Sequence, residues 1–406
     1  MNHPAAILDF ASTAHILSPQ VRADAIRLLA DTLAVMAAGT GSPEAEQLRQ
    51  ACADQAFMNG FAIHCLEWDA VHEPAVVHAL SVVTAALLAI AKRNGGCEPE
   101  AFLTALAVGV DVASGLGLAA TGPMQFFRPA TAGVLGAALA AARLEGIARD
   151  QMADVLGLAY SFAGGTMQAH VEASIALPLQ IGRAAQATVQ AVDLVRAGMN
   201  GPHDVLEGPF GYSNLIEALD LDRYTTDLGN IWRISEVSIK PFPSGRASHG
   251  ALGALQELWT EGAVRLDDVA SIELFAPPLI HRLVGRPYRA DAPMSYNRLC
   301  LAFLAPLMLR DGHIDPRARE SIPGLAQKVI VTLDDNKDAN ALSPQSLVVT
   351  MQDGSTIQQQ IEANLGSPDA PMSAAQLASK YDLCRALAAE YDPRIFDDPL
   401  SYATDP

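Results

Sequence analysis

Residues 59–81 read NGFAIHCLEWDAVHEPAVVHALS and lead directly into the apolar run VVTAALLAIA at 82–91. Six titratable side chains fall within this short stretch: His64, Glu67, Asp69, His72, Glu73 and His78. The run that follows them predicts a helix buried in the core, and Pro74 interrupts helical structure before that helix begins. The sequence therefore sets a loop of acids and histidines against a core helix.

The spacing of these acids and histidines fits more than one use. His64 and Glu67 lie three residues apart, as do Asp69 and His72, and side chains at that spacing can meet on one face of a helix. A metal ion would require three or four convergent ligands, and no HExxH pattern occurs, so we expect no metal here. Acid–base catalysis or substrate binding is favoured, with a solvated loop as the alternative.

Composition and charge narrow the function classes. The chain has 406 residues, of which 50% are apolar and 18% charged. This composition indicates a helix-rich globular protein with enough chain for two or three domains. The net charge of −18 argues against nucleic acid or a membrane surface as a partner. A small anionic ligand would need a local group of basic side chains.

The cysteines and the N-terminal sequence predict a cytoplasmic protein. The five cysteines are scattered without a CxxC pair, which is typical of reduced thiols rather than of disulfides or an iron–sulfur cluster. The sequence MNHPAAILDFAST lacks the basic and apolar regions of a signal peptide. The apolar run at 82–91 is too short to span a bilayer.

Hydrophobic periodicity divides the chain into a helical part and a part with strands. Residues 18–41 combine a serine cap signal, helical apolar spacing and a terminal glycine, and β-branched runs appear at 269–278, 327–335 and 345–362. The last of these runs holds an Asp-Gly hairpin signal. We predict a mainly α fold. A large all-helical domain spans 1–237, with 372–406 packing back on it, and a smaller α+β lid domain with an antiparallel sheet spans 238–371.

Basic side chains recur in two further segments. The stretch SIKPFPSGRASHG at 238–250 carries Lys240, Arg246 and His249 on a turn stiffened by proline and glycine. In so acidic a chain, an anion site is favoured there over a basic surface loop. In QFFRPATAG at 125–133, Arg128 precedes a proline and is expected to be extended just before a helix whose N-terminus attracts anions.

The segment MQAHVEASIALPLQIGR at 167–183 is the least specific of the candidates. It contains His170, Glu172, Gln180 and Arg183. A single histidine of this kind is more often a structural hydrogen-bonding residue than a catalyst, so His170 is predicted to be structural.

Four stretches, taken in order, resemble the MmgE/PrpD family, which includes 2-methylcitrate dehydratase, cis-aconitate decarboxylase and iminodisuccinate epimerase. They are residues 59–81, RPATAGVLGAALAAARLEG at 128–146, GPHDVLEGPFGY at 201–212 and IKPFPSGRASHGALGAL at 239–255. The resemblance implies a helical domain and an α+β lid with the site in the cleft between them. It also implies a homodimer, no metal or organic cofactor, and a small di- or tricarboxylate substrate.

The resemblance carries over to individual residues. Asp69 matches the last aspartate of the family's LDFDD stretch, in which Glu67 replaces the first acid. His78 matches the histidine of the HPS stretch, and Lys240 matches the lysine of KPYP. The basic positions that follow this lysine are matched by two further residues, Arg246 and His249.

The chain departs from the family pattern at four positions. Arg128 stands where a histidine usually precedes PT, and Phe303 stands where a tyrosine is common. Leu177 and Gln180 stand where the family's KRLH stretch has a lysine and a histidine. These replacements change which proton transfers are possible.

Residues and resemblance together predict a lyase of the hydro-lyase type that removes a proton α to a carboxylate. Asp69 or His78 would act as the base, and His249 or His72 as the acid toward a leaving hydroxyl. A carbanion-like state needs positive charge aimed at it, and Lys240 would contribute that charge.

The predicted substrate-binding residues are four side chains outside the acid–base set: Arg128, Arg246, Gln180 and Thr131. Three other functions remain open from the sequence. The chain could be an epimerase or isomerase of a dicarboxylate, a decarboxylase, or a catalytically degenerate binding protein.

Overall fold

Helices dominate the structure, a computed structural model that describes residues 2–51 and 54–405. The helices before residue 226 are α1 (His3–Ser12), α2 (Pro19–Thr40), α3 (Pro43–Ala51), α4 (Gln55–His64), α5 (Ala79–Arg93), α6 (Pro99–Ala119), α7 (Arg128–Leu144), α8 (Arg149–Phe162), α9 (Gln168–Val171), α10 (Ala176–Arg196), α11 (Tyr212–Leu215) and α12 (Asp222–Thr225). The later helices are α13 (His249–Thr260), α14 (Pro278–Val284), α15 (Met294–Asn297), α16 (Leu301–Asp311), α17 (Pro323–Ala326), α18 (Ala374–Leu387), α19 (Arg394–Asp397) and α20 (Pro399–Thr404).

Helices α4, α5, α6, α7 and α10 pack into the central bundle, and small side chains let them approach closely. Every residue of α7 from Arg128 to Ala142 is buried. A Cβ atom placed on Gly136 would lie 2.3 Å from the carbonyl oxygen of Gly109 in α6. The glycines in these helices therefore serve packing.

The expected helix boundaries agree with the structure at α2 and differ at α7. The Ser18 hydroxyl accepts a hydrogen bond from Val21 N at the start of α2, and Gly41 follows its end, as predicted. Arg128 is not extended before α7 but is its first residue, and Phe127 is the extended residue instead. Proline at the second helical position tolerates this placement because its missing N–H has no helical acceptor there.

Helix α6 is long and apolar enough to cross a membrane by length and composition alone. Its most apolar window is 89% buried inside the fold, which is typical of a core helix. Cys65, Cys97, Cys300 and Cys384 are free thiols, and Cys52 lies outside the described residues.

The strands of the second part form one mixed sheet with the order β4-β3-β5-β6, from β3 (Val269–Ala276), β4 (Val329–Leu333), β5 (Gln345–Met351) and β6 (Thr356–Ile361). The hairpin predicted between β5 and β6 is confirmed, with Gly354 at φ +84°. The prediction of an antiparallel sheet is wrong in part, because β3 and β4 pair in parallel. Helices α13 and α16 pack together beside this sheet.

Two short strands and the last long helix connect distant parts of the chain. Strand β1 (Val71–His72) pairs antiparallel with β2 (Val237–Ser238), which lies just before Lys240. Helix α18 packs against α2. The mainly α class is confirmed, whereas a domain boundary at 237/238 stays a prediction.

Candidate active site

The stretch at 59–81 forms a buried turn between α4 and α5. Helix α4 ends at His64, and the chain then folds back through Glu67 and Val76, both of which adopt positive φ values, of 55° and 52°. Residues other than glycine adopt this conformation only when their surroundings hold them in it. The pairing of β1 with β2 brings residues near 240 alongside this turn.

Asp69 is the centre of the resulting cluster and is fully buried. Its carboxylate accepts hydrogen bonds from His64 Nδ1 at 2.9 Å and from the Ser81 hydroxyl, and His78 Nδ1 lies 3.1 Å away. Burial alone would raise the pKa of Asp69, but His64, His78 and Lys240 hold it well below its usual range. Asp69 is therefore an ionised acceptor that orients two imidazoles.

Lys240 lies on the other side of this carboxylate. Its ammonium is 3.7 Å from Asp69 Oδ1 and 3.8 Å from Glu67 Oε2, and it donates to the main-chain oxygen of Glu67 at 2.9 Å. Burial lowers the pKa of Lys240, and the two carboxylates oppose that shift. Lys240 is fully buried, so it does not lie on a basic surface loop, the alternative that the sequence left beside an anion site.

The two histidines bonded to Asp69 have different proton affinities. Burial lowers the pKa of His64, but the carboxylates of Asp69 and Glu67 outweigh burial and raise it above its ordinary value. Burial also lowers the pKa of His78 and, together with the positive charges of Lys240 and His64, outweighs the opposing effect of Asp69. The pair thus combines a charged imidazole with a neutral one, an arrangement that suits acid–base chemistry.

His78 is the member of this pair that a ligand can reach. It exposes 13% of its side chain, whereas His64 exposes 1%. Its Nδ1 lies 3.1 Å from the carbonyl oxygen of Ala70, which places the proton of the neutral ring on Nδ1. Nε2 of His78 then carries the lone pair that can accept a proton.

The sequence prediction of this cluster named three of its members and missed others. Asp69, His78 and Lys240 were predicted and lie together, while His64 was not named as catalytic. Its spacing from Glu67 was the available signal, and His64 Nε2 lies 3.4 Å from Glu67 Oε1. Ser81, the remaining partner of Asp69, had no signal in the sequence.

The structure pairs the predicted acids His72 and His249 elsewhere. His72 lies 2.9 Å from Glu236 through Nε2, so the pair expected between Asp69 and His72 does not form. His249 is fully buried and lies 3.2 Å from an Arg246 nitrogen. Burial and the neighbouring positive charges hold the pKa of His249 well below its usual range, so it stays neutral.

The two arginines predicted to hold substrate carboxylates already have internal partners. Arg128 is fully buried and binds Glu217 through Nε at 2.9 Å and through Nη2 at 2.5 Å. Arg246 binds Glu73 at 2.6 Å. Because each guanidinium is neutralised within the fold, neither is free for a second carboxylate, which corrects the expected role of both.

The remaining predicted binding residues make ordinary structural contacts. The Thr131 hydroxyl lies 3.1 Å from the hydroxyl of Tyr212, and Gln180 donates to the carbonyl oxygen of Thr166 at 3.3 Å. Burial lowers the pKa of His170 to about 4. The structural role expected for His170 stays a prediction.

Arginines without a carboxylate partner among the described residues occur instead at 282–298. Arg286 donates to the carbonyl oxygen of His170 at 3.2 Å, and its buried Nη1 has no hydrogen-bond partner within the described chain. Arg282 lies 3.5 Å from the carbonyl oxygen of Met124. Arg298 donates to the carbonyl oxygen of Cys65 at 2.9 Å, at the edge of the catalytic turn. Positive charge therefore lines the junction between the sheet part and the helical bundle.

The cavities of the fold do not by themselves mark the site. A cavity of about 550 Å³ is lined by Trp68, Trp259 and Lys380, behind the catalytic turn. A space of about 20 Å³ lies on its other side, lined by Glu67 and Arg298 among others. We assign the site by the acid–base cluster rather than by cavity size, because the cluster brings an ionised acid and two imidazoles into direct contact.

His64, Asp69 and His78 also present ligand atoms within 4.8 Å of one another. The Nδ1 atoms of both histidines are directed to the Asp69 carboxylate, and Lys240 adds a positive charge 3.7 Å from it. Side chains thus balance the charge of Asp69, and a metal ion would have to displace these contacts. The expectation that no metal is required stays a prediction.

Comparison with known protein families identifies the family of the chain. The MmgE/PrpD N-terminal domain matches residues 52–220, and the MmgE/PrpD C-terminal domain matches residues 242–393. The chain belongs to the MmgE/PrpD family. The two matched segments contain the acid–base cluster and the unpaired arginines.

Three relatives of this family member are named cis-aconitate decarboxylase. The protein of Homo sapiens is 27% identical over 349 residues, which cover 80% of this chain and 71% of the relative. The protein of Mus musculus is 25% identical over 350 residues, which cover 80% and 70%. The protein of Aspergillus terreus is 23% identical over 363 residues, which cover 80% and 73%.

The four departures from the family pattern have definite places in this member. Arg128 is neutralised by Glu217, and Phe303 is buried among the side chains around α13 and α16. Leu177 lines the small space beside Glu67, and the Gln180 amide donates to the carbonyl oxygen of Thr166.

Proposed function

We propose that the chain is a lyase that acts on a small di- or tricarboxylate by moving a proton at the carbon beside a carboxylate. The observation that carries this proposal is the Asp69 cluster. An ionised acid holds a charged imidazole, His64, and a neutral, partly exposed imidazole, His78. Family membership and relatives that act on carboxylates support the same class of reaction.

His78 is the group we propose to transfer the proton. In the neutral ring Nδ1–H is held by Ala70 O and Asp69, so Nε2 is the atom that faces substrate and accepts or returns a proton. Asp69 stabilises the imidazolium that forms, while the Lys240 ammonium compensates the charge of Asp69 and Glu67. A bound substrate carboxylate near His78 would favour its charged form and so allow it to return the proton.

The substrate's carboxylates would bind at the arginines of residues 282–298 rather than at Arg128 and Arg246. Arg286 is half-buried, lacks a carboxylate partner among the described residues and borders α9 of the bundle. An arginine in such a position can bind a carboxylate through two parallel hydrogen bonds. This recognition explains how a chain of net charge −18 could bind a polyanion.

Decarboxylation is the first reaction to test. The bond between carbon and the departing carboxylate breaks, carbon dioxide leaves, and the electron pair remains on carbon beside a second carboxylate. When a substrate carboxylate beside His78 has favoured its charged form, the imidazolium gives the proton on Nε2 to that carbon, and solvent restores the proton to His78. Decarboxylation is tested first because the relatives are named as cis-aconitate decarboxylases.

Epimerisation by proton exchange is the second candidate, and one observation favours it. Neutral His78 can abstract a proton, while the acids predicted for a leaving hydroxyl, His72 and His249, are bound to other groups. Dehydration needs such an acid, whereas epimerisation needs none. The dehydration predicted from the sequence is thus the least supported of the three reactions.

The test uses purified protein with cis-aconitate, citrate-like hydroxy acids and dicarboxylates in deuterium oxide, followed by proton NMR. Loss of a carboxylate supports the decarboxylase, and deuterium in unchanged substrate supports the epimerase. A parallel sample dialysed against a chelator should keep its activity. Absence of turnover and of exchange, together with carboxylate-induced thermal stabilisation, would instead establish a binding protein.

The compartment and the oligomeric state of the protein are also proposed from the sequence. We propose a cytoplasmic homodimer with reduced thiols, and sedimentation of the purified chain measures its oligomeric state directly.

A further inference from the structure

Three main-chain oxygens of the turn between α4 and α5 are bound by cationic side chains. Arg298 donates to the carbonyl oxygen of Cys65 at 2.9 Å, and Lys240 donates to that of Glu67 at 2.9 Å. Lys380 lies 3.4 Å from the carbonyl oxygen of Trp68. Three cations from remote segments of the chain thus bind main-chain oxygens of the turn that ends at Asp69.

The turn needs such donors because its backbone is neither helix nor sheet. Glu67 has φ of 55°, a left-handed conformation that is strained for a residue other than glycine. Buried carbonyl groups also require hydrogen-bond donors in place of water. Cationic side chains satisfy these oxygens and at the same time stabilise the two carboxylates, Glu67 and Asp69, that the turn carries.

Lys380, unlike Lys240, was not predicted from the sequence to belong to the site. It belongs to α18, exposes only 4% of its surface, and forms an ion pair of 2.6 Å with Asp31 of α2. Its ammonium also lies 5.4 Å from the centre of the Trp68 ring. Asp31 is fully buried, so the two side chains meet inside the fold, away from solvent.

We infer that Lys380 is a positioning residue for the catalytic turn, acting through Trp68. It contacts both the carbonyl oxygen and the ring of Trp68, which lies between the two acids of the cluster. Through these contacts the orientation of Asp69 toward His64 and His78 depends on α18. This inference rests on the proposed function only where activity is measured.

The test compares variants that remove the contact with one that only loosens the same helix. The double variant Asp31→Leu/Lys380→Met removes both buried charges together, which often leaves stability unchanged. Lys380→Arg retains a cation and a donor. Cys384→Ala is the control, because Cys384 is buried on α18, packs in the same apolar cluster and has no contact with the carbonyl of Trp68.

Two readouts separate positioning from general stability. NMR titration of labelled histidines, assigned with His64→Gln and His78→Gln, should show the His64 pKa falling toward 6.5 in the double variant and unchanged in Cys384→Ala. The turnover number should fall about tenfold, an effect of about 1.4 kcal/mol, with KM little changed, and Lys380→Arg should recover part of it.

The histidine titration requires no substrate, so it judges this inference even if the proposed function fails. A folded double variant with wild-type histidine pKa values and a turnover number within about twofold of wild type overturns the positioning role. If the double variant does not fold, the Lys380→Arg titration decides. An unchanged His64 titration in Lys380→Arg, together with near-ultraviolet circular dichroism that shows Trp68 displaced, would also overturn the positioning role.

Discussion

Residues of one chemical type have different roles in this protein because the fold gives them different neighbours. Arg128 and Arg286 are both arginines near the junction of bundle and sheet, yet only Arg128 has a carboxylate partner, Glu217. His78 and His249 are both kept neutral, but only His78 lies beside Asp69. The neighbour, more than the residue type, decides which side chains can act on a substrate.

The pH dependence of His78 gives the first prediction. Because its pKa is lowered from 6.5, the ring is neutral at pH 6.5, and abstraction of a substrate proton, which requires the neutral base, should be lost only as pH falls below that value. The kcat/KM profile in buffers from acidic to neutral pH measures this midpoint. His78→Gln should lower kcat about 10²–10⁴-fold, the usual contribution of a general base.

A matched control for this variant is His203→Gln, because His203 is exposed and binds only Asp154 on the surface. It should keep the wild-type profile. An acid limb centred at or above pH 6.5, or a His78→Gln protein within about tenfold of wild type, contradicts the role of His78 as the base.

The arginines give the second prediction. Arg286→Met should weaken carboxylate binding by about 1.5–3 kcal/mol, the scale of a charged hydrogen bond, with a small effect on stability. Arg128→Met should instead destabilise the fold by about 3–5 kcal/mol, because it leaves the buried Glu217 carboxylate without a partner. Calorimetric titration with the turned-over acid and chemical denaturation measure the two effects separately.

Arg289→Met is the control for Arg286, because both guanidinium groups lie 4.9 Å from the Tyr296 ring but Arg289 is exposed. It should bind substrate as wild type does. Equal loss of affinity in the Arg286 and Arg289 variants would show that stacking on Tyr296, rather than a carboxylate contact, is responsible.

Residue-level reasoning from the sequence found what local patterns encode and missed what depends on distant partners. Asp69, His78 and Lys240 were predicted and meet in one cluster. The pairing of Arg128 with Glu217 joins residues 89 positions apart, so no local pattern reveals it. A binding role was therefore predicted for a guanidinium that the fold had already neutralised.

At the scale of elements, close helix packing is set by residues without side chains. The approach of α6 to α7 leaves no room at Gly136, where an added Cβ would lie 2.3 Å from a backbone oxygen. Backbone atoms cannot move aside as the end of a flexible side chain can, so the helices themselves would have to separate. The site is affected because α7 packs against α5, which carries Ser81.

Gly136→Ala is therefore predicted to destabilise the protein, by about 1–3 kcal/mol or more, the usual effect of overpacking a core. Gly253→Ala in α13 is the control, because no atom lies within 4 Å of its added Cβ and its φ is negative. That variant should stabilise by about 0.4–1 kcal/mol. Urea denaturation of both proteins measures the difference, and a Gly136→Ala protein as stable as wild type would contradict the packing described.

Elements with local signals were predictable, and those that depend on long-range pairing were not. Ser18 and Gly41 mark the ends of α2, and the Asp353-Gly354 turn marks the β5–β6 hairpin. The parallel pairing of β3 with β4 joins strands separated by about fifty residues and four helices, α14 to α17, for which the sequence gives no register. The two-residue strands β1 and β2 are too short for a periodic signal, yet they bring Lys240 to Asp69.

For the molecule as a whole, the strongly negative net charge contrasts with a nearly balanced interior at the site. Glu67 and Asp69 are offset by Lys240 and His64, although the chain as a whole carries −18. The stability of the folded protein should therefore depend on pH through this cluster, since its groups titrate differently in the folded and unfolded states.

The sign of that dependence differs between the acids and the histidine. The pKa values of Glu67 and Asp69 are lowered from 4.5 and 3.8, so their contribution is present above those values and is lost as pH falls through the folded values. The pKa of His64 is raised from 6.5, so its contribution is present below 6.5 and is lost as pH rises through the folded value. All three contributions coincide between pH 4.5 and 6.5.

The final prediction is that the cluster stabilises the whole fold most within this window. The double variant Asp69→Asn/His64→Gln removes the central charged pair while retaining similar shapes. Its free energy of unfolding, measured by urea denaturation from pH 3.5 to pH 9, should fall furthest below that of wild type between about pH 4.5 and 6.5, and the difference should shrink on both sides. A difference that does not change with pH would mean that the pair contributes packing alone, because only titrating groups can make the two curves converge at both ends.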